Sequence, residues 1–459
     1  MYRHHHSFIP TCVLFVFALQ SYIVQANIEP VTVQITSPGA ALLGTEDVPF
    51  AASVTPGDTE DYNYQWYVGV QPAGDNQASF SYDVPTADAD AKKVKIKCAA
   101  TDKDDSNLHG EKEIDFWQFM VTVNAIAFNY DTSANLNDAL NIRQNFSTAI
   151  NVPEYVSGGA NKPAAYTRNM TPRVCARFTV QPTDMTSLKL KATSSGCLGN
   201  LDETQVQFQN GISQGDVTIA GADYTKFTAS KDTPDEVYKD TFSWEWKVTA
   251  ANGKSINTAS FGTTAGHTVY IVYDKAKSPW VTGVSQHCPW ADVLDYACDW
   301  AAGCDDANSI VHSITQKPYS DREFDRRYDP SDTHTILACN LTQLLADSWA
   351  DCRDMAAVVQ LFTRAIGVNA VRIRRVEGGV DGFTTKPILP IGESQWRTAV
   401  FFMHDFAYYN DSLVYDACLT LNQNAPYIPA GKTLADYKTD LYECNGWSLL
   451  NSFEITEFQ

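Results

Sequence analysis

The chain has 459 residues, of which 44% are hydrophobic and 19% charged, and a formal net charge of −20. That length suffices for about three domains of ~150 residues, and the composition is that of a globular protein rather than a disordered one. The negative charge argues against a basic nucleic-acid surface and against attraction to an anionic membrane, so no nucleic-acid partner is expected.

Residues 1–26 read as a signal peptide. Arg3 lies in a short polar start, Cys12 to Val24 is mostly apolar, and Val24-Gln25-Ala26 resembles a small-residue cleavage site. The apolar run is short for a membrane span, and no later stretch is long enough for one. A secreted or periplasmic protein with no membrane span is therefore expected. The run His4-His5-His6 leaves with the signal and takes no metal role.

Residues 27–125 read as an all-β module. Val31 to Ile35, Tyr62 to Val68 and Val94 to Cys98 alternate apolar and polar residues, and Pro/Gly-rich turns separate them. This spacing suggests a β-sandwich. Trp66 on a mid-domain strand resembles the core Trp of immunoglobulin-like or bacterial PKD-like modules, in architecture only. Asp102, Asp104 and Asp105 read as a solvated acidic turn, because Ca²⁺-loop spacing is absent.

Residues 126–275 read as a second β-rich module. Val174 to Val180, Thr241 to Val248 and Thr268 to Tyr273 are strand-like, and Asn252-Gly253 marks a hairpin turn. His267 reads as a strand-edge residue. Residues 276–459 read as α+β. Helices are expected at Ala291 to Ala302, Asp306 to Ile314, Asn340 to Ala346 and from Cys352 to about Ile366, followed by a strand at Ala370 to Arg374.

There are 11 cysteines. Cys12 lies in the signal, and export favours disulfides over a zinc site at His287, Cys288, Cys298 and Cys304, where no CxxC pair occurs. If Cys352 is a free nucleophile, parity leaves one more free thiol, and Cys98 fits because it points into a sheet core. Cys175 and Cys197 are expected to bridge. Cys288, Cys298, Cys304, Cys339, Cys418 and Cys444 supply three further bridges of unassigned connectivity.

The chemistry-bearing stretch starts at Asp351-Cys352-Arg353-Asp354. Asp351 reads as N-cap and Asp354 completes a capping box. Met355, Val358, Val359, Phe362 and Ile366 form one apolar stripe, Gly367 suits the position past the helix end, and Cys352 sits in the first turn off the stripe. A helix start lowers a thiol pKa, while the flanking acids raise it, so an imidazolium must outweigh them. His404 on a strand and Asp416 on the next one supply base and orienting acid. For both to face one side of the hairpin, the loop round Asn410-Asp411-Ser412 needs an odd number of residues. The alternatives are a disulfide at Cys352 and a merely structural His404. Asp405 points to the opposite strand face, and His287, His312 and His334 precede the cysteine. Arg372 and Arg374 read as a solvated strand face, or as ligands for a substrate carboxylate.

The order Cys352, His404, Asp416, with the Cys opening a helix that leads into a strand, resembles the transglutaminase-like superfamily of papain-type thiol enzymes. The likeness covers roughly the last two-fifths of the chain. The Gly266 to Trp280 segment is loosely similar to what precedes such cores in some bacterial secreted proteins. The resemblance implies a fold of two β-sandwich-like modules followed by an α+β transglutaminase-like domain. It implies catalytic Cys352, His404 and Asp416, and a thioester acyl-enzyme on peptide or side-chain amides of a protein or peptide substrate, with no cofactor and no metal. The crosslinking members carry Gly-Gln-Cys-Trp where this chain has Ala350-Asp351-Cys352-Arg353, which implies hydrolysis rather than crosslinking. The other reading is a non-catalytic extracellular binding or matrix protein, with β-modules that hold a surface polymer or protein partner.

Overall fold

The computed structural model describes residues 30–131, 138–329 and 338–459. The expected signal segment, Cys12 and His334 lie outside the described residues. Among the described residues the fold is predominantly β, with several sheets and five α-helices, and no helix is long and apolar enough to cross a membrane. These residues form two compact units. One takes 30–36, 50–80 and 95–114, and the other takes 37–49, 81–94 and 115–459. Residues 37–49, 81–94 and 115–125, read from the sequence with the first module, thus group with the second unit.

In the first unit, Thr32–Thr36 pairs antiparallel with Val48–Thr55, and Tyr62–Val68 pairs antiparallel with Lys92–Asp102. The period-2 pattern turns Tyr62, Tyr64 and Trp66 inward. Trp66 is fully buried, 6.4 Å from Phe50 and 5.6 Å from Phe80 between ring centroids. Burying one such side chain contributes about 2–3 kcal/mol. Cys98 lies opposite Trp66 in the register and is buried, as its alternation predicts. Asp102 Oδ1 accepts the N–H groups of Asp104 and Asp105 at 2.8 and 3.0 Å, which is a local acidic turn.

The second unit contains residues read from the sequence as two domains. Its β-rich part is built round Tyr238–Ala251 and Lys254–Val272, joined by Asn252 and Gly253 at φ 47° and 78°. Left-handed φ at both positions is what a two-residue hairpin requires, so the Asn-Gly signal holds. Trp246 packs edge-on to Phe178 and Phe227 in the core. His267 is not at a strand edge. It is 1% exposed, bonded to Thr264 at 2.9 Å and ringed by Phe128, Tyr155, Phe242 and Trp244, and burial pushes it down to about 4.

The helical part carries α1 (Ala291–Trp300), α2 (Ala307–Gln316), α3 (Leu341–Ala346), α4 (Cys352–Ala365) and α5 (Leu434–Leu441). Their starts follow the caps readable in sequence: Asp306 for α2, Asn340 for α3 and Asp351 for α4. α1 is tied to the β-rich part by Tyr270, whose hydroxyl donates to Asp295 at 2.9 Å, and by Lys239, which meets Asp295 and Asp299 at 2.8 Å each. Those ties explain why 126–275 and 276–459 form one unit.

The cysteines depart from expectation. All ten among the described residues are free thiols. The expected Cys175–Cys197 bridge does not form because the two side chains belong to different cores. Cys175 packs with Ala125, Ala127 and Tyr224. Cys197 joins the larger cluster, and its N–H donates to Asp240 at 2.7 Å. Burial pushes both thiols up to about 12.

Candidate active site

α4 places the thiol. Asp351 Oδ1 accepts the Asp354 N–H at 2.8 Å and Asp354 Oδ2 accepts the Asp351 N–H at 3.1 Å, the reciprocal capping box. Cys352 is thereby held at the first helical position, where its N–H has no intrahelical acceptor. The far end stops at Gly367, with φ 97°. The one-sided stripe expected from the sequence is not observed, since every residue from Cys352 to Ala365 is buried. Packing on all sides takes in even Arg353, Gln360 and Arg364, each through polar partners.

The hairpin places the other two groups. Met403–Tyr409 pairs with Val371–Glu377 on one side and Leu413–Tyr415 on the other. Its last pair is Tyr409 with Leu413, so Asn410, Asp411 and Ser412 make a three-residue loop. Asn410 and Asp411 both take φ 49°, and the Ser412 N–H closes the turn on Tyr409 O at 3.2 Å. Continued by one step, this register sets Asp416 against Phe406, on the face that His404 shares. The two are diagonal cross-strand neighbours.

His404 Nε2 lies 2.9 Å from Asp416 Oδ2. Both side chains are fully buried, and Cys352 keeps 8% exposure. Nδ1 has no partner of ordinary hydrogen-bond geometry. The thiol of Cys352 interacts with the ring, and His404 is the strongest influence lowering its pKa. Phe401 stacks on the imidazole with centroids 5.3 Å apart at 12°.

The charges are set by burial first. Burial pushes the thiol up, His404 pulls it down, and Asp351 and Asp405 push it up again; the net direction is upward. Burial acts to lower His404, and the charge and hydrogen bond of Asp416, joined by Cys352, overcome it and carry the ring from 6.5 to about 10. At neutral pH the ring is an imidazolium held by a carboxylate, and the thiol beside it is shielded from water.

Several neighbours are not apparent from the sequence. Asp416 Oδ2 also accepts the Tyr437 hydroxyl at 2.7 Å, and Oδ1 accepts the Cys418 N–H at 2.9 Å. Tyr437 shares an inward stripe of α5 with Leu434 and Leu441, a spacing the sequence does display. Asp405 faces away from the triad, as its parity predicts. It accepts Arg353 Nε at 3.0 Å and Arg375 Nε and Nη2 at 2.8 and 2.7 Å, a buried ionic cluster behind the site. Arg372 meets Glu454 at 3.1 Å and Asp411 at 3.5 Å, and Arg374 donates to Leu450 O and covers the Tyr408 ring. Both are engaged on the strand face rather than directed at the triad.

Two cavities of about 500 and 530 Å³ lie elsewhere in the second unit, and neither is lined by a triad residue. Among the described residues no group of three or more His, Cys, Asp or Glu is arranged to hold a metal ion.

The chain matches no family model and no curated protein. Among solved structures, the three N-terminal domains of the Highly Immunogenic Outer Capsid protein of bacteriophage RB49 are similar to it at 12% identity and a TM-score of 0.25. That match covers 53% of this chain and 69% of that one, a likeness too slight to carry an argument about this protein.

Proposed function

We propose that the protein is a secreted or periplasmic thiol enzyme whose last 184 residues, 276–459, form an α+β transglutaminase-like domain behind immunoglobulin-like β-modules. One observation carries the reading: His404 stands between the Cys352 thiol and the Asp416 carboxylate, with Cys352 at a capped helix start. In the reaction, Cys352 acts as the thiolate of a thiolate–imidazolium pair with His404, and Sγ attacks an amide carbonyl carbon. The developing oxyanion is held by the Cys352 N–H. The imidazolium then gives its proton to the amine nitrogen, the C–N bond breaks, and a thioester remains. Water, deprotonated by the same ring, releases the acid and restores the thiol. Hydrolysis is favoured over crosslinking because Asp351 stands where the crosslinking family has Gln.

The second reading is a binding or matrix protein with an inactive scaffold. The low exposure and net upward thiol shift of Cys352 favour it. Alkylation rate against pH separates the two, with Cys352→Ala as the blank and a library of peptide amides as substrates. The enzyme reading expects labelling of Cys352 that stays fast below the ~8.5 of an ordinary thiol, lost in His404→Ala, and amide turnover lost in Cys352→Ala. Labelling that follows an ordinary or slower thiol, unchanged in His404→Ala, overturns it.

A further inference from the structure

Asp416 Oδ2 is shared. It accepts hydrogen bonds from His404 Nε2–H at 2.9 Å and from the Tyr437 hydroxyl at 2.7 Å, while Oδ1 accepts the Cys418 N–H at 2.9 Å. Tyr437 is fully buried on α5, and its ring packs against Phe406 on the histidine strand with centroids 5.1 Å apart. A proton-transfer ring needs two opposed properties. It must be basic enough to take the thiol proton, yet acidic enough to give it to a departing amine. A buried carboxylate with nothing else to do would hold the imidazolium too firmly for the second step.

We infer that Tyr437 is a positioning residue of this site: by donating to the oxygen that His404 uses, it fixes the carboxylate and weakens its hold on the imidazolium. The inference rests on the thiol-enzyme reading. Burial and the Asp416 charge raise the phenol well above its ordinary value, so it stays a donor wherever the protein works. Tyr437 touches neither thiol nor substrate; it acts through Asp416. Among the described residues, the other charged or titratable groups coupled to the site are Cys352 and Asp351 at the start of α4, Asp405 with its two arginines, Cys418, Tyr319 and Tyr328. None of them changes when one hydroxyl is removed.

The test is the titration of His404 in the full chain, followed by NMR of ¹³C-histidine and assigned with His404→Ala. Tyr437→Phe keeps the packed ring and removes the donor. The expected result is an upward shift of the His404 midpoint by about half to one pH unit, the size of one hydrogen bond. Placing 3-fluorotyrosine at position 437 strengthens the donor and should move the midpoint down, which keeps the test alive should Tyr437→Phe not fold. A merely structural role for Tyr437 loosens Asp416 and lowers the midpoint in Tyr437→Phe; a lowered or unchanged midpoint overturns the inference. Alkylation of Cys352 in the same samples reports separately on the enzyme reading. An unperturbed thiol there removes that reading, and with it the catalytic meaning of the Tyr437 contact, whatever the imidazole does.

Discussion

Replacing Asp416 by Asn strikes the electrostatic centre of the site at nearly constant volume. Asn Oδ1 still accepts the Cys418 N–H, but an NH₂ group replaces Oδ2 and meets the Nε2 proton donor to donor. The conflict is relieved when Nε2 gives up its proton and becomes the acceptor. The ring is then neutral with its proton on Nδ1, the nitrogen beside the thiol, and it no longer supplies the positive charge that offsets a Cys352 thiolate. The stability change follows from the same contact. Burial works against the charged ring, and Asp416 first and Cys352 second carry it from 6.5 to about 10. Because the folded value is raised, the stabilisation is complete below pH ~6.5 and is lost as pH rises through about 10. At about 1.36 kcal/mol per unit this is roughly 5 kcal/mol in mild acid and roughly 4 kcal/mol at pH 7. Urea unfolding followed by tryptophan fluorescence, on both proteins from mild acid to about pH 10, measures it. The gap between wild type and Asp416→Asn should be largest in acid and should narrow towards pH 10. In parallel, loss of the charged ring removes the main influence that lowers the Cys352 thiol, so labelling of Cys352 at pH 7 should be slower than in the wild type. A gap that is flat with pH, or that widens as pH rises, refutes this account of His404.

Asp405→Asn leaves Arg353 and Arg375 buried without a full counter-charge and should cost roughly 3–5 kcal/mol in urea unfolding; a loss under about 1 kcal/mol would mean that water already reaches the cluster. Asp351→Ala removes the α4 cap and should cost about 1 kcal/mol, while the alkylation midpoint of Cys352 falls because an adjacent acid is gone. Asp351→Ser should show the same fall in midpoint with the cap largely retained. At Gly367, a Cβ would come within 2.2 Å of the Asp274 carbonyl oxygen at φ +97°, so Gly367→Ala should lower the thermal midpoint by more than the ordinary cost of left-handed backbone, about 1 kcal/mol; an unchanged midpoint would contradict that close approach.

What the sequence determined is local. Asp351, Cys352 and Asp354 specify a capped helix start through bonds that span three residues, and Asn252-Gly253 specifies a hairpin through φ alone. The period-2 alternation placed Cys98 and Trp66 inside. Parity along the strands tied the common face of His404 and Asp416 to an odd loop, and the three-residue loop supplies it. What only the tertiary structure decided is long-range. Cysteine parity and the expectation of export say nothing about which thiols approach one another, and Cys175 and Cys197 fold into separate clusters. The same holds for His267, whose strand pattern marks neither edge nor interior; four rings from three other segments decide it. α4 was legible as amphipathic, yet it is buried all round, because its polar residues find partners tens of residues away in sequence. Tyr437 and the arginine pair on Asp405 join the site in the same way. Their spacing along the chain carries no mark of the contact, since hydrogen bonds and ion pairs between distant segments depend on how the sheet and helices pack and not on any local periodicity.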